Sequence, residues 1–428
     1  MSGNTEIRLY KGYWFLPSNP DKEVAGILSI EADGKSVLEL MGSFGDIDLS
    51  INLPREHAIW GRCYDNRKKG YRITILDSFA SYSINFSLGF PLVRYSGGSV
   101  LIGIHILSEE DLSFSRSLVH FPALTEWCPP GTVHSVHKHN SITVAVDTTR
   151  GEDAVLSSLV LDDGTVVNLL KGASYTTDQY KYVIEPESLL EIKKEGISVR
   201  RVFAIVRQFE EFLSFATLCP LEHSRIVLFS EQEVQVMDNG ERYYHSIELV
   251  TRLEITNPSL DFKPHTFLFR YRDVESDFAD LFERFYSSAS IKQIWDNMLD
   301  SLENKRIFTS NDFLIVVQAI DGFSLRFREE TNFLAQIRAL RDEFKDIKKL
   351  SLTDEDLLVI RGSRHYYSHI LKMDQKEKKQ VADGMELFNI TEKLRILLIC
   401  CLLSFLGMDN ERINALLNSC HNSLLQNI

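Results

Sequence analysis

The sequence has little cysteine, no long apolar run and no surplus of positive charge, and each lack excludes a class of protein. Its six cysteines include no Cys-x-x-Cys pair, so it encodes neither a disulfide scaffold nor a zinc ribbon, and the usage suits a reducing compartment. The most apolar window, Ile396 to Leu406 (ILLICCLLSFL), is well short of the ~20 residues a membrane-spanning helix needs. It reads as a buried helix of a bundle. The N-terminal stretch MSGNTEIRLYKGYWFLPSNP has no basic segment followed by an apolar one, which predicts no secretory signal, no membrane partner and a cytoplasmic protein. Lys and Arg number 47 against 60 Asp and Glu, a net charge of −13. A protein that coats nucleic acid without specificity carries a basic surplus, so any nucleic-acid contact here must be a local site. There is no P-loop, G-x-G-x-x-G, G-x-S-x-G or H-E-x-x-H, which disfavours nucleotide switches, dehydrogenases, triad hydrolases and zincins.

What is present divides into two grammars. With 44% hydrophobic and 25% charged residues over 428 positions, the chain suits two or three folded domains. Up to about residue 260 it consists of short runs rich in Val, Ile, Phe and Tyr, such as VAGILSIE, SVLELMGSF, YRITILDSF, SITVAVDTT and RVFAIVRQF, set apart by Gly, Pro, Asn and Asp. Asp162-Asp163-Gly164 and Asp238-Asn239-Gly240 are tight-turn signals between them. Strands this frequent predict an antiparallel sandwich or barrel, interrupted by one short helix at Gln208–Leu218. Near residue 276 the period changes: DFADLFERFYSS and IKQIWDNMLDSL place apolar residues three and four apart. After Lys305 only helical signals remain, over Phe308–Phe327, Phe333–Ile347, Asp354–Met373, Asn389–Gly407 and Glu411–Leu425. Thr353 is a candidate N-cap followed by acids, and Gly407 a candidate terminator. The expected class is α+β. A β-rich region spans 1–305, with room for two β subdomains and with helices at 276–303, and an all-helical bundle spans 306–428. The helical part carries 17 basic and 17 acidic residues, leaving 30 basic and 43 acidic to the first 305. Only the helical part could therefore accept a phosphate polymer without strong repulsion.

One cluster looks chemical. Val359 to Leu371 (VIRGSRHYYSHIL) packs Arg361, Arg364, His365 and His369 into nine positions. His365 and His369 lie four apart and share a helix face. Arg364 and His369 lie five apart, about 140° around a helix of ~3.6 residues per turn. A regular helix does not converge that pair. A helix start or bulge near Gly362-Ser363, the reach of the Arg side chain, or a second copy in a dimer would be needed. Arg plus His without a metal suits phosphodiester cleavage by the 2′-hydroxyl of RNA. A neutral imidazole takes that proton, a protonated one supplies the leaving 5′-oxygen, and Arg offers a planar fork of donors to the phosphate. The products would be a 2′,3′-cyclic phosphate and a 5′-hydroxyl. By spacing alone, His and Arg on a helix are more often solvated surface or packing residues than catalytic ones.

RHYYSHIL inside a C-terminal helical domain resembles the R-x4-6-H motif of the HEPN superfamily, in which the residue after Arg is commonly polar. Asn311 to Phe327 (NDFLIVVQAIDGFSLRF) is similar to the first long helix of its ApeA-like branch. GYWFLPSNPDKEVAGILSIEADGKSVLELMG resembles the start of that branch's β-rich N-terminal domain, and Phe114 to Cys128 (FSRSLVHFPALTEWC) a later stretch ending in Trp. The resemblance implies a metal-independent endoribonuclease, needing no cofactor, that works as a homodimer with motif helices of two subunits meeting in a composite site. By position Arg364 corresponds to the motif Arg, His369 to the motif His, and His365 to the polar residue between them, orienting one of them or assisting proton transfer. Arg361 is outside the motif spacing and positions phosphate at most. Asp321 stands where the family more often has Glu. The resemblance also implies bacterial anti-phage defence by growth arrest (abortive infection), with a phage-derived trigger sensed by the N-terminal region. Substrate RNA, with tRNA one candidate, is the expected partner. The dimer is expected through the motif helix and the Ile396–Leu406 helix.

Other features point to alternatives. Of His134, His137 and His139, the last two would share a strand face and could ligate a metal, but no third carboxylate or thiolate of suitable placement is obvious, although Cys128 is close in sequence, and an exposed loop or strand edge accounts for them. Gln375–Gln380 (QKEKKQ) reads as a solvated turn or as an extension of an RNA path. The aromatics of GYWFLP suit core packing over a ligand groove. Two rival functions stay open: a dimerising scaffold in which Arg364 and His369 pack or bind RNA, and a β region with its own activity on carbohydrate.

Overall fold

A computed structural model describes residues 7–45, 55–83, 92–108, 113–131, 133–138, 141–146, 151–178, 181–237, 240, 242–252, 262–302, 307–328, 332–369 and 380–425. The chain forms two compact units. One gathers Met1–Thr125, Pro130–Arg207 and Glu222–Asp261, the other Glu126–Pro129, Gln208–Leu221 and Phe262–Ile428.

The first unit is built on antiparallel strands. β1 (Arg8–Leu16), β2 (Asn19–Ile30), β3 (Ser36–Met41), β4 (Arg55–Tyr64), β5 (Gly70–Ser83) and β6 (Leu92–Ser96) pair in the order β4-β1-β2-β3-β6-β5. Because β5 also pairs with β4, and β6 with both β3 and β5, the six close into a barrel. Alternating residues fill its interior: Trp14, Leu28, Leu38, Ile59, Ile73 and Val93 are all buried. The Trp14 ring fits because Gly61 faces it; a Cβ there would lie 2.4 Å from the indole. β7 (Val100–Ile102) pairs with β5 and carries the sheet outward. Beyond it run β15 (Arg242–Val250), β14 (Arg225–Val236), β8 (Phe114–His120), β13 (Lys181–Ile197), β12 (Val166–Asp178) and β11 (Val155–Val160). The turn at Asp162-Asp163-Gly164 joins β11 to β12, with Gly164 at φ 79° and its N–H donating to the Leu161 carbonyl at 2.8 Å. Asp238 and Asn239 lie outside the described residues. β9 (Val133–Lys138) and β10 (Ser141–Val146) form a separate hairpin.

One expected strand is helical. Arg201–Phe209 (RVFAIVRQF) belongs to α1 (Val199–Thr217), which also absorbs the short helix expected at Gln208–Leu218. Buried Val202, Ile205, Val206, Phe209, Phe212 and Leu213 recur at spacings of three and four. A short apolar run satisfies both the strand and the helix period, and the longer helix buries the aromatic half that follows.

The second unit is helical. α2 (Phe278–Tyr286), α3 (Lys292–Asp300), α4 (Ser310–Phe327), α5 (Phe333–Glu343), α6 (Asp354–His369), α7 (Gly384–Phe405) and α8 (Asn410–Ser419) follow in order. The helices expected over 276–303 thus fall in this unit by compactness. Phe212, Phe269, Tyr271 and Phe278 ring Trp127, whose indole N–H donates to the Phe269 carbonyl at 2.9 Å. α7 begins five residues before the expected Asn389; Gly384 at its first position masks the start. It ends at Gly407, where φ is 98° and the N–H groups of Gly407 and Met408 donate to the Ser404 and Leu403 carbonyls. That pattern closes the helix with a left-handed residue. Ile396 to Leu403 are fully buried within the one chain, while Ser404 and Phe405 of the same window are partly exposed. A helix buried around its whole circumference over those eight residues is a core helix of the bundle. Among the described residues no helix is long and apolar enough to cross a membrane.

Candidate active site

α6 places the cluster. Its N-terminus is fixed by a reciprocal cap: the Asp356 carboxylate accepts from the Thr353 N–H at 2.8 Å, and the Thr353 hydroxyl accepts from the Asp356 N–H at 3.1 Å. Burial pushes the Asp356 carboxyl up, but its hydrogen bonds from Thr353 and Lys393 outweigh that and hold it below its ordinary range. Leu357, Ile360 and Ser363 form the buried face. Leu358, Arg361, His365 and His369 are exposed, three or four residues apart, and so form a stripe along the solvent side.

Gln380 and Ala382 approach another side of the helix. Ser363 accepts from the Ala382 N–H at 2.9 Å, and the Tyr367 hydroxyl donates to the Ala382 carbonyl at 2.9 Å. Burial, followed by the charge of Asp383, raises the Tyr367 phenol. Gly362 permits this approach, since a Cβ there would sit 2.3 Å from the Gln380 carbonyl oxygen. Gly362→Ala sets a gain of up to ~1 kcal/mol in helix propensity against a backbone clash costing about 1–3 kcal/mol. The clash wins because neither partner is a flexible side-chain end. A lowered urea midpoint is the expected result, and an unchanged or raised one would show that the contact yields freely.

Arg364 points to α4. Its guanidinium donates to Asp321 at 2.6 Å and lies over the Phe333 ring at 4.1 Å, half-buried. Asp321 of α4 thus holds the arginine of the cluster. His365 and His369 come together, their ring centroids 5.2 Å apart and both rings exposed. α6 runs unbroken through Gly362-Ser363 to His369, so neither a bulge nor a helix start converges Arg364 and His369. Arg364 is instead paired with Asp321 on α4. Phe333, the platform under Arg364, was not legible in the sequence; nothing in an Asn-Phe-Leu helix start marks an aromatic as a guanidinium support.

Two further expectations fall partly outside what is described. His139 lies outside the described residues; His134 and His137 sit in β9, with nothing described of their side chains. Among the described residues no group of three His, Cys, Asp or Glu side chains could hold a metal ion. Of Gln375–Gln380, only Gln380 is described.

Comparison with known proteins decides the family. Residues 9–285 match the family described as ApeA N-terminal domain 1, and residues 314–412 match Apea-like HEPN. The chain belongs to the ApeA-like HEPN family. No curated protein and no solved structure matches it. An HEPN domain of the ApeA type points to a family of ribonucleases and abortive-infection effectors. The HEPN match runs from α4 into α8 and contains Asp321, Arg364, His365 and His369. The two ApeA matches lie on either side of residue 305.

Proposed function

We propose that this ApeA-like protein is a metal-independent endoribonuclease that cleaves RNA by attack of the substrate's own 2′-hydroxyl. The observation that carries the reading is the pair of exposed imidazoles, His365 and His369, with ring centroids 5.2 Å apart on the helix that also carries Arg364. His369 is the general acid or base, His365 orients it or relays a proton, and Arg364 takes the charge that builds on the phosphate. Asp321 and Phe333 position the guanidinium, and Arg361 on the exposed stripe contacts phosphate. Because Arg364 and His369 diverge on a regular helix, the site is composite, formed by α6 of two copies. The stripe of Leu358, Arg361, His365 and His369 gives the second helix a face to meet. In the cell the protein is a cytoplasmic anti-phage effector of abortive infection, activated by a phage-derived trigger at its N-terminal region, with tRNA among the candidate substrates.

The experiment is cleavage of total RNA in EDTA, with chemistry at the new ends determined. Expected are 2′,3′-cyclic phosphate and 5′-hydroxyl termini, with DNA resistant. Products ending in 3′-hydroxyl, or activity abolished by EDTA, would overturn the mechanism. One observation favours a second reading: the Asp321 ion pair and the Phe333 stack already give Arg364 a structural role. A dimer that binds RNA without cutting it, even with trigger-exposed lysate present, would favour that scaffold.

A further inference from the structure

The first unit holds a cleft of about 590 Å³ that the ribonuclease reading does not use. Its walls come from the end of β4, the start of β5, β7 and the β14–β15 pair. Four cations line it, Arg62, Lys69, Arg72 and Arg225, against two acids, Glu233 and Glu248. That local sign opposes the surrounding region, where acids outnumber bases 43 to 30 over the first 305 residues.

The cations are arranged at a cost. Arg62 and Arg72 are direct cross-strand partners on β4 and β5, and like charges placed opposite each other weaken a sheet. The acids offset this only in part. Glu233 accepts from Arg72 at 2.6 Å, while Arg62 reaches outward to Glu23 at 3.2 Å. Glu248 is taken by Arg8 at 2.8 Å, leaving Arg225 at 3.8 Å from it. Aromatic rings stand among these charges. Tyr64 is 61% and Tyr243 56% exposed, and both line the cleft together with Tyr71. The Tyr243 ring meets His245 edge-on with centroids 5.2 Å apart, a contact that leaves ring faces available. Burying these rings in a core would release more energy than displaying them in water.

We infer that this cleft binds a nucleotide, its base stacked on Tyr243 and Tyr64 and its phosphate held by Arg62 and Arg72. Open tyrosine faces beside arginine forks are what sequence-tolerant recognition of bases and phosphates requires. The volume lies within the range of small-ligand sites and takes one or two nucleotides. The ligand is either a free nucleotide or the end of a single strand. The cleft belongs to the first unit and α6 to the second, and the inference does not depend on RNA cleavage.

The test is fluorescence anisotropy of labelled oligothymidylate on the full chain at low salt; a DNA probe has no 2′-hydroxyl and is not consumed by the proposed chemistry. Thymidine 5′-monophosphate, thymidine and inorganic phosphate are the competitors. Tyr243→Ala is expected to weaken binding about tenfold or more, Tyr243→Phe to leave it nearly intact, and Arg62→Ala to weaken it and flatten the salt dependence. Both side chains are exposed, so these variants keep the fold. Competition by the monophosphate at strand-like concentrations assigns a free nucleotide; a much tighter oligonucleotide assigns a strand end. Absence of binding, competition by phosphate alone as strong as by the nucleotide, or binding lost in Arg364→Ala yet unchanged in Tyr243→Ala and Arg62→Ala would overturn the inference.

Discussion

His369→Ala is expected to lower RNA cleavage by roughly 10²–10⁴-fold, the usual worth of a positioned general acid or base. The thermal midpoint should not move, because the ring is exposed and, among the described residues, its ring contact is with His365. Arg364→Ala should also abolish cleavage, but with a structural cost. It leaves Asp321, itself less than one-quarter exposed, without its 2.6 Å partner and uncovers Phe333. Arg364→Lys is the sharper probe. An ammonium keeps the charge but not the planar fork that spans carboxylate, ring and phosphate. If the lysine form cuts RNA at the wild-type rate, the arginine is serving only as a point charge. If His369→Ala cuts at the wild-type rate, His369 has no part in the chemistry and the motif helix is a binding or packing element.

Glu392→Ala should cost about 3–5 kcal/mol, because it strands a buried guanidinium. Glu392 and Arg395 lie one turn apart on α7, are 2% and 5% exposed, and hydrogen-bond to each other. Arg395 also donates to the Ser301 hydroxyl at 3.3 Å. Burial pushes the Glu392 carboxyl up against the opposing pull of Arg395. Replacing both residues, as Glu392→Leu with Arg395→Met, should return most of that loss, since an apolar pair of similar volume avoids the desolvation of two charges. Urea unfolding of the two single variants and the double variant measures this. Equal destabilisation by the double and by Glu392→Ala alone would mean that packing, not stranded charge, sets the cost.

Much of the architecture was legible because it rests on local chemistry. The division into strand grammar and helix grammar, the Asp-Asp-Gly turn, the Thr353 cap and the Gly407 terminator are each dictated by a few neighbouring residues. α1 departs from its local strand pattern where locality fails. Val202, Ile205 and Val206 suit either period, and the choice was made by Phe209, Phe212 and Phe215 packing against Phe282, Phe269 and Trp295. The Ile396–Leu406 window was legible as a buried helix but not as to what buries it, since composition does not separate a core helix from a dimer face.

The sequence by itself determined that this chain has a strand-rich acidic part and a charge-neutral helical part, and that one helix carries Arg364, His365 and His369. The tertiary structure alone decided that the barrel closes through β6, that Arg364 is held by Asp321 and Phe333 and not by its neighbours in the motif, and that Arg62 and Arg72 face a cleft with three tyrosines. Helix caps and periods act over a few residues, so they can be read along the chain. Ion pairs, ring platforms and barrel closure join residues far apart in sequence, and only packing brings those together.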